Sequence, residues 1–260
     1  MHIATHGLIA TGMANAPPAA LSRPSTIAAA LGDLTEPGAV AVAGGTDLCA
    51  QYNEGLAPRL LVALDGLAEL AALEIDATEI RIGALVTHTA GSAHAGLRAA
   101  LPGFTEAWRL LANPRVRFTA TIGGNLMARR TRYEMSLLLT ALGATLRFAA
   151  PAGLSDATPQ EVWGTSPALL HHIAIPRRAG GRFHYMRGLR PQLTLAVYRH
   201  DAGGAAAIAT EWLRPVPLAL DDTGLEALPE AFHDPVISHW YARRAGAVLL
   251  RRGLEALDAR

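Results

Sequence analysis

The residues of this chain best suited to chemistry cluster in two diglycine turns. Ala43-Gly44-Gly45-Thr46-Asp47-Leu48 follows the apolar run Ala39 to Val42, and Thr121-Ile122-Gly123-Gly124-Asn125 follows Val116 to Ala120. Each run reads as a strand, and each turn carries small polar residues. Paired glycines let a backbone come close to a ligand and aim successive N–H groups at one anion. Taken singly, Gly-Gly after a strand is ordinary turn chemistry. Taken together, with Gly44 and Gly123 separated by 79 residues in two successive units, the turns could grip a diphosphate from both sides. No lysine stands near either turn, so backbone amides would do the neutralising. Thr46 can donate its hydroxyl to a phosphate oxygen. Asp47 would repel a phosphate it faced, and is expected to cap the turn that follows. Thr121 and Asn125 are further candidate donors, with plain turn chemistry as the alternative.

The other titratable residues do not assemble into a catalytic set. His171 and His172 sit on an alternating strand, so their side chains are expected on opposite faces. His88 and His94 flank a helix of small residues, and His2 and His6 fall in a tail; a structural or exposed role is the default for each. Neither a Ser-His-Asp arrangement nor an HExxH motif is legible. The one cysteine, Cys49, excludes disulfides and cysteine-ligated zinc or iron–sulfur centres within the chain. It is expected to be a small buried residue.

Composition narrows the class further. The chain has 260 residues, 50% hydrophobic and 17% charged, with a formal net charge of +1. These values describe a folded chain of one large or two smaller domains, without the basic surplus of a nucleic-acid or membrane-surface binder. No stretch reaches the roughly 20 apolar residues of a membrane helix, and no basic segment precedes Leu8-Ile9-Ala10 as a secretory signal would require. The expected location is the cytoplasm.

The turns need elements to hold them. A helix over 26–34 capped by Ser25, a strand over 39–43, a helical turn over 47–52 and a strand over 60–64 make a first unit. Arg81-Ile82-Gly83 opens a second, with one helix over 97–112 stopped by Asn113-Pro114, an apolar helix over 134–143, and strands over 144–148 and 171–175. After a charged linker over 176–181, strands over 183–186, 193–198, 205–210 and 216–220 form a meander, followed by a long amphipathic helix over 236–257. The expected domains are a tail over 1–21, a binding domain over 22–176 with subdomains of about 22–76 and 77–176, and a C-terminal domain over 177–260.

These residues carry a resemblance. Arg23-Pro24-Ser25, Ala43 to Leu48, Arg81-Ile82-Gly83-Ala84, Asn113-Pro114 and Thr121 to Leu126 resemble the FAD-binding medium subunit of molybdenum hydroxylases, the carbon monoxide dehydrogenase and xanthine dehydrogenase flavoprotein family. The likeness covers about residues 22–257. It implies an α+β fold in which two α/β subdomains of the PCMH type clasp FAD, beside a small C-terminal domain of antiparallel strands and helices. It implies that both glycine turns contact the FAD diphosphate through backbone amides. It also implies an acidic residue nine positions after the Asn of the second turn that binds a ribose hydroxyl; Glu134 holds that place, where the family usually has Asp. The other reading of Glu134 is a first-turn helix acid. Arg187 matches a basic residue near the adenine. Where relatives have small residues and a proline, this chain has Arg129-Arg130-Thr131-Arg132-Tyr133; the arginines are expected to face solvent or a partner subunit, with phosphate contact as the alternative, and Tyr133 to stack near a flavin or pack in the core.

The resemblance implies an oxidoreductase subunit that passes electrons from iron–sulfur clusters through FAD to an external acceptor. The molybdenum cofactor and 2Fe-2S clusters would sit on large and small partner subunits, in a heterotrimer or a dimer of heterotrimers. The alternatives are an FAD-free scaffold subunit, suggested by the arginine segment and by a linker over 158–176 shorter than the family's, and an independent flavin oxidase. Neither the hydroxylated substrate nor the acceptor is legible.

Overall fold

Consecutive stretches of chain build three sheets, and the two glycine turns lie where the first two meet. The computed structural model describes residues 19–164, 169–187, 192–220, 225, 228 and 234–259. The expected tail therefore lies mostly outside the described residues, as do His2 and His6.

The first sheet is parallel, in the order β1-β3-β2, from β1 (Ala20–Ser22), β2 (Ala39–Val42) and β3 (Leu60–Ala63). β1 was not expected: its residues read as the end of the tail, yet Leu21 pairs with Leu61. Helix α1 (Ile27–Asp33) is capped by Thr26, not Ser25; the Thr26 hydroxyl accepts from the Ala29 amide at 3.1 Å. Helix α2 (Thr46–Asn53) starts at Gly45, which has φ +68°. That left-handed conformation costs glycine little and other residues more.

The second sheet is antiparallel throughout, in the order β4-β5-β8-β6-β7: β4 (Leu73–Ile75), β5 (Glu79–Gly83), β6 (Thr145–Ala150), β7 (Gly153–Ala157) and β8 (Leu169–Pro176). Between β5 and β6 run α3 (His88–Ala93), α4 (Ala95–Ala100), α5 (Pro102–Leu110), α6 (Pro114–Arg117), α7 (Ile122–Met127) and α8 (Met135–Ala141). The single helix expected over 97–112 is two helices, because Pro102 starts a new one at its first position. The strand expected over Val116 to Ala120 is absent. Asn113 instead caps α6 through the Val116 amide, and the second glycine pair lies in the first turn of α7, capped by Thr121.

The third sheet, β12-β11-β10-β9, comprises β9 (Arg182–Met186), β10 (Thr194–His200), β11 (Gly203–Ala209) and β12 (Val216–Leu218). Alternation assigns its faces. Ala196, Tyr198, Ala207 and Ala209 join the core that contains α5 and α8, whereas Leu195, Val197, Ala206 and Ile208 pack toward α9 (His239–Asp258). All seven residues of α8 are buried, the pattern of a helix covered on every side.

Gly103 of α5 rests directly on β9: a Cβ there would lie 2.0 Å from the Phe183 carbonyl oxygen. Gly103→Ala is therefore expected to cost about 1–3 kcal/mol, the range for overpacking. Gly32→Ala, on an exposed helical position with nothing within 4 Å, is expected to stabilise by roughly 0.5–1 kcal/mol. Urea unfolding of the two variants checks both signs; a Gly103→Ala midpoint at or above wild type would refute the close packing.

Candidate functional site

The two glycine turns touch. A Cβ on Gly44 would lie 1.9 Å from the Thr119 carbonyl oxygen and 3.0 Å from Ala120 Cα, so only glycine fits there. Beside this contact opens a cleft of about 500 Å³, within the usual range for small-molecule sites. Of the residues expected at the site, Ala43, Gly44, Gly45, Thr46, Asp47 and Leu48 line it from one side. Thr121, Gly124 and Asn125 line it from the other, and Glu134 and Arg187 close one end. Gly123 does not line it. Gly123 is buried against Ala84, where a Cβ would stand 2.7 Å from the carbonyl oxygen.

The turns offer different donors. The first leads into α2, whose opening amides at Thr46, Asp47 and Leu48 have no intrahelical partner, and no side chain caps them. They form the positive end of the helix, suited to an anion. The second turn has spent its amides. Ile122 N–H donates to Val86 O, Gly123 to Ala84 O, Gly124 to the Thr121 hydroxyl and Asn125 to Thr121 O. The expectation of amide neutralisation from both turns thus fits the first only. The second presents the Asn125 side chain, the remaining hydroxyl proton of Thr121, and the open Cα of Gly124, which has only Thr121 Oγ1 within 4 Å. Asn125 Oδ1 is buried without a partner among the described residues, an acceptor placed for a hydroxyl or N–H of a ligand rather than for a phosphate oxygen.

Asp47 does not cap. Its Oδ1 accepts from Tyr133 Oη at 2.7 Å and Arg130 Nε at 3.0 Å, and its Oδ2 from Gln51 Nε2 at 2.6 Å. Burial opposes its ionisation, but the hydrogen bonds from Gln51, Tyr133 and Arg130 outweigh burial and hold its pKa below the ordinary value. Arg130 also binds Glu54 Oε2 at 2.8 Å. The segment expected to face solvent or a partner therefore folds inward at Arg130, helped by the left-handed turn at Arg129, φ +54°. Arg132 lies over the Tyr133 ring, 5.9 Å from its centroid, and lines the cleft.

Glu134 stands at the N-cap of α8 without capping it. Its Oε1 accepts from Tyr185 Oη at 2.5 Å and pairs with Arg187 Nε at 3.2 Å. Burial raises the Glu134 pKa, partly offset by those two partners. Tyr185 is itself pushed far up by burial and by the adjacent carboxylate. Arg187 thus belongs to the same end of the cleft.

Outside this set, the structural role expected of His88 is observed, and two other expectations fail. His88 is fully buried and lines the cleft; its Nδ1 accepts from Trp108 Nε1 at 2.6 Å, which puts the ring proton on Nε2. No sequence pattern announces that pairing, which joins two helices. The rings of His171 and His172 are not separated: their Nδ1 atoms lie 2.8 Å apart. The register slips between Arg147 and Phe148, leaving His171 as the extra residue of a bulge, and a bulge breaks the alternation on which the expectation rested. Cys49 is exposed, because the short helix α2 buries none of its residues.

This arrangement has known counterparts. A family profile described as the FAD binding domain in molybdopterin dehydrogenase matches residues 17–177. The chain belongs to that family. It is similar to the carbon monoxide dehydrogenase medium chain of Afipia carboxidovorans, 29% identical over 92% of this chain and 96% of that one. It is also similar to the nicotinate dehydrogenase FAD-subunit of Eubacterium barkeri, 31% identical over 40% of this chain and 36% of the relative. Among solved structures, the reconstituted CO dehydrogenase from Oligotropha carboxidovorans superposes with a TM-score of 0.79 at 26% identity, covering 94% of this chain and 99% of that one. The flavoprotein is accordingly an oxidoreductase chain of a molybdenum hydroxylase, and FAD is its cofactor. The cleft suits that group: unpaired helix amides, an orphaned amide oxygen and a glycine Cα left open converge on one space. No helix among the described residues is long and apolar enough to cross a membrane.

Burial and the neighbouring Arg117 hold the His88 pKa down to about 4, so the ring is neutral at physiological pH. In the unfolded chain it titrates near its ordinary value, so folding stability is complete above about pH 6.5 and falls as pH drops toward 4. The loss reaches about 3 kcal/mol. His88→Asn keeps an acceptor for the Trp108 N–H and removes the titration. Urea unfolding between those pH values should show a flatter stability profile in the variant; an unchanged slope would refute the assignment.

Proposed function

We propose that the cleft holds FAD with its diphosphate between the two glycine turns and its adenosine ribose at Glu134. The observation that carries this reading is the facing of the α2 amides and the Asn125–Gly124 surface across one cleft. The helix terminus supplies positive potential without a lysine. Thr46 and Thr121 add hydroxyl donors, and the Ala43 and Leu48 backbones shape the wall. Glu134 keeps Oε2 for a sugar hydroxyl, since Tyr185 and Arg187 both use Oε1. Arg187 stands beside the adenosine end.

Bound FAD supplies the electron-carrying chemistry, and the protein positions it. This chain's residues fix the cofactor's orientation and keep the neighbouring titratable groups in set states: Asp47 ionised and tied, His88 neutral. We further propose that the upstream centres lie on a molybdenum-cofactor large subunit and a 2Fe-2S small subunit, since the single cysteine here cannot ligate a cluster. The full assembly would be a dimer of heterotrimers in the cytoplasm. The domain division at residues 22–176 and 177–260 belongs to the same proposal. The scaffold reading loses its main support, because Arg130 is bound to Asp47 and Glu54.

Gly124→Asp separates a binding site from ordinary turns. The substitution meets only the Thr121 hydroxyl, so the chain should remain folded, while the new carboxylate opposes the diphosphate. Visible absorbance of the purified, FAD-supplemented variant should show at least tenfold less bound flavin than wild type, with unchanged far-ultraviolet circular dichroism. Stoichiometric flavin in the variant would overturn the placement. A wild-type protein without flavin bands under the same conditions would favour the scaffold instead.

A further inference from the structure

A carboxylate at the start of α2 is among the most heavily bonded in the cleft. Asp47 is the second residue of the helix whose amides open on the cleft, and its side chain is only 11% exposed. Left unpaired, a negative charge on this lining residue would repel a diphosphate held in the cleft. Arg130 meets it from 83 residues away, with its own side chain 21% exposed. Tyr133, three residues further on, donates to the same oxygen, and the second arm of Arg130 reaches Glu54 just past the end of α2. One guanidinium therefore binds α2 near both ends to the segment that leaves the second glycine turn. A half-buried guanidinium with donors engaged by two carboxylates is directional and stays charged at any working pH.

We propose that Arg130 is a positioning residue for the cofactor: by bridging Asp47 and Glu54 it holds the first glycine turn against the second and cancels the Asp47 charge, so that the diphosphate site is assembled before FAD arrives. The proposal rests on the reading that the cleft receives the diphosphate between the turns. Arg130 need not touch the phosphate. Its contribution is pre-organisation, which lowers the ordering cost of binding, together with neutralisation of a carboxylate that would otherwise oppose it.

A double-mutant cycle tests this on the full-length chain, stripped of flavin and titrated with FAD by fluorescence quenching. Arg130→Met removes the charge and keeps the length, leaving Asp47 uncompensated; it should weaken FAD binding at least tenfold. Asp47→Asn should weaken it less, because the bridge is lost but no bare charge remains. The pair Arg130→Met with Asp47→Asn should bind FAD more tightly than Arg130→Met alone, a reversal that a merely structural role would not produce. Arg130→Lys should retain part of the wild-type affinity and guards against a folding defect in Arg130→Met. If the two losses add, Arg130 acts on the phosphate directly and the proposal fails. If Arg130→Met binds like wild type while Gly124→Asp loses FAD, the proposal fails and the cleft reading stands. If Gly124→Asp also binds like wild type, the cleft reading fails with it.

Discussion

The approach of Gly44 to the Thr119–Ala120 backbone is the contact on which the cleft depends. With a Cβ position 1.9 Å from a carbonyl oxygen, no side chain can stand between the two turns. The first turn follows β2 of the parallel sheet and the second opens α7, in the helical segment between β5 and β6, and this contact brings their polar surfaces to face each other. Everything else at the site is arranged around it: the helix start on one side, the capped and internally satisfied α7 on the other. The asymmetry follows from hydrogen bonding. A turn that pins itself to Ala84 and Val86 cannot also offer those amides to a ligand.

Charge is managed in the same space. No lysine lines the cleft, and its positive potential comes from the α2 terminus, with Arg132 and Arg187 at the wall. Two carboxylates sit close by, and each is held by its own tyrosine and arginine: Asp47 by Tyr133 and Arg130, Glu134 by Tyr185 and Arg187. The pairs differ in outcome. Hydrogen bonds dominate at Asp47 and keep it ionised, while burial dominates at Glu134 and raises its pKa.

The sequence exposed what depends on short-range pattern. Gly44-Gly45 and Gly123-Gly124 marked both turns, the apolar run 135–142 marked α8, and the alternating strands 183–210 marked the third sheet. It hid what depends on long-range pairing. β1 has only three residues and no periodicity to reveal it. The helix over 97–112 breaks at Pro102, whose place at a first helical position reads equally well as a start or a stop. The strand expected before Thr121 is short and apolar enough to pass for one, but Asn113-Pro114 begins a helix there. His171 and His172 meet only because a bulge in β8 interrupts alternation. Arg130 could not be assigned from sequence, since its partners Asp47 and Glu54 are brought near by tertiary packing alone.

The third sheet carries a consequence for how a ligand enters and leaves. One face of β9–β11 is continuous with the core of the second sheet's helices, through Phe183 against Phe104 and Ala196, Ala207 and Ala209 in the same cluster. The other face is covered by α9. A hinge between the C-terminal part and the rest would have to expose this shared interior, a large penalty in lost apolar burial. Opening of the cleft is therefore limited to motion of surface segments at its mouth. The body that carries Tyr185 and Arg187 stays fixed against the body that carries Glu134.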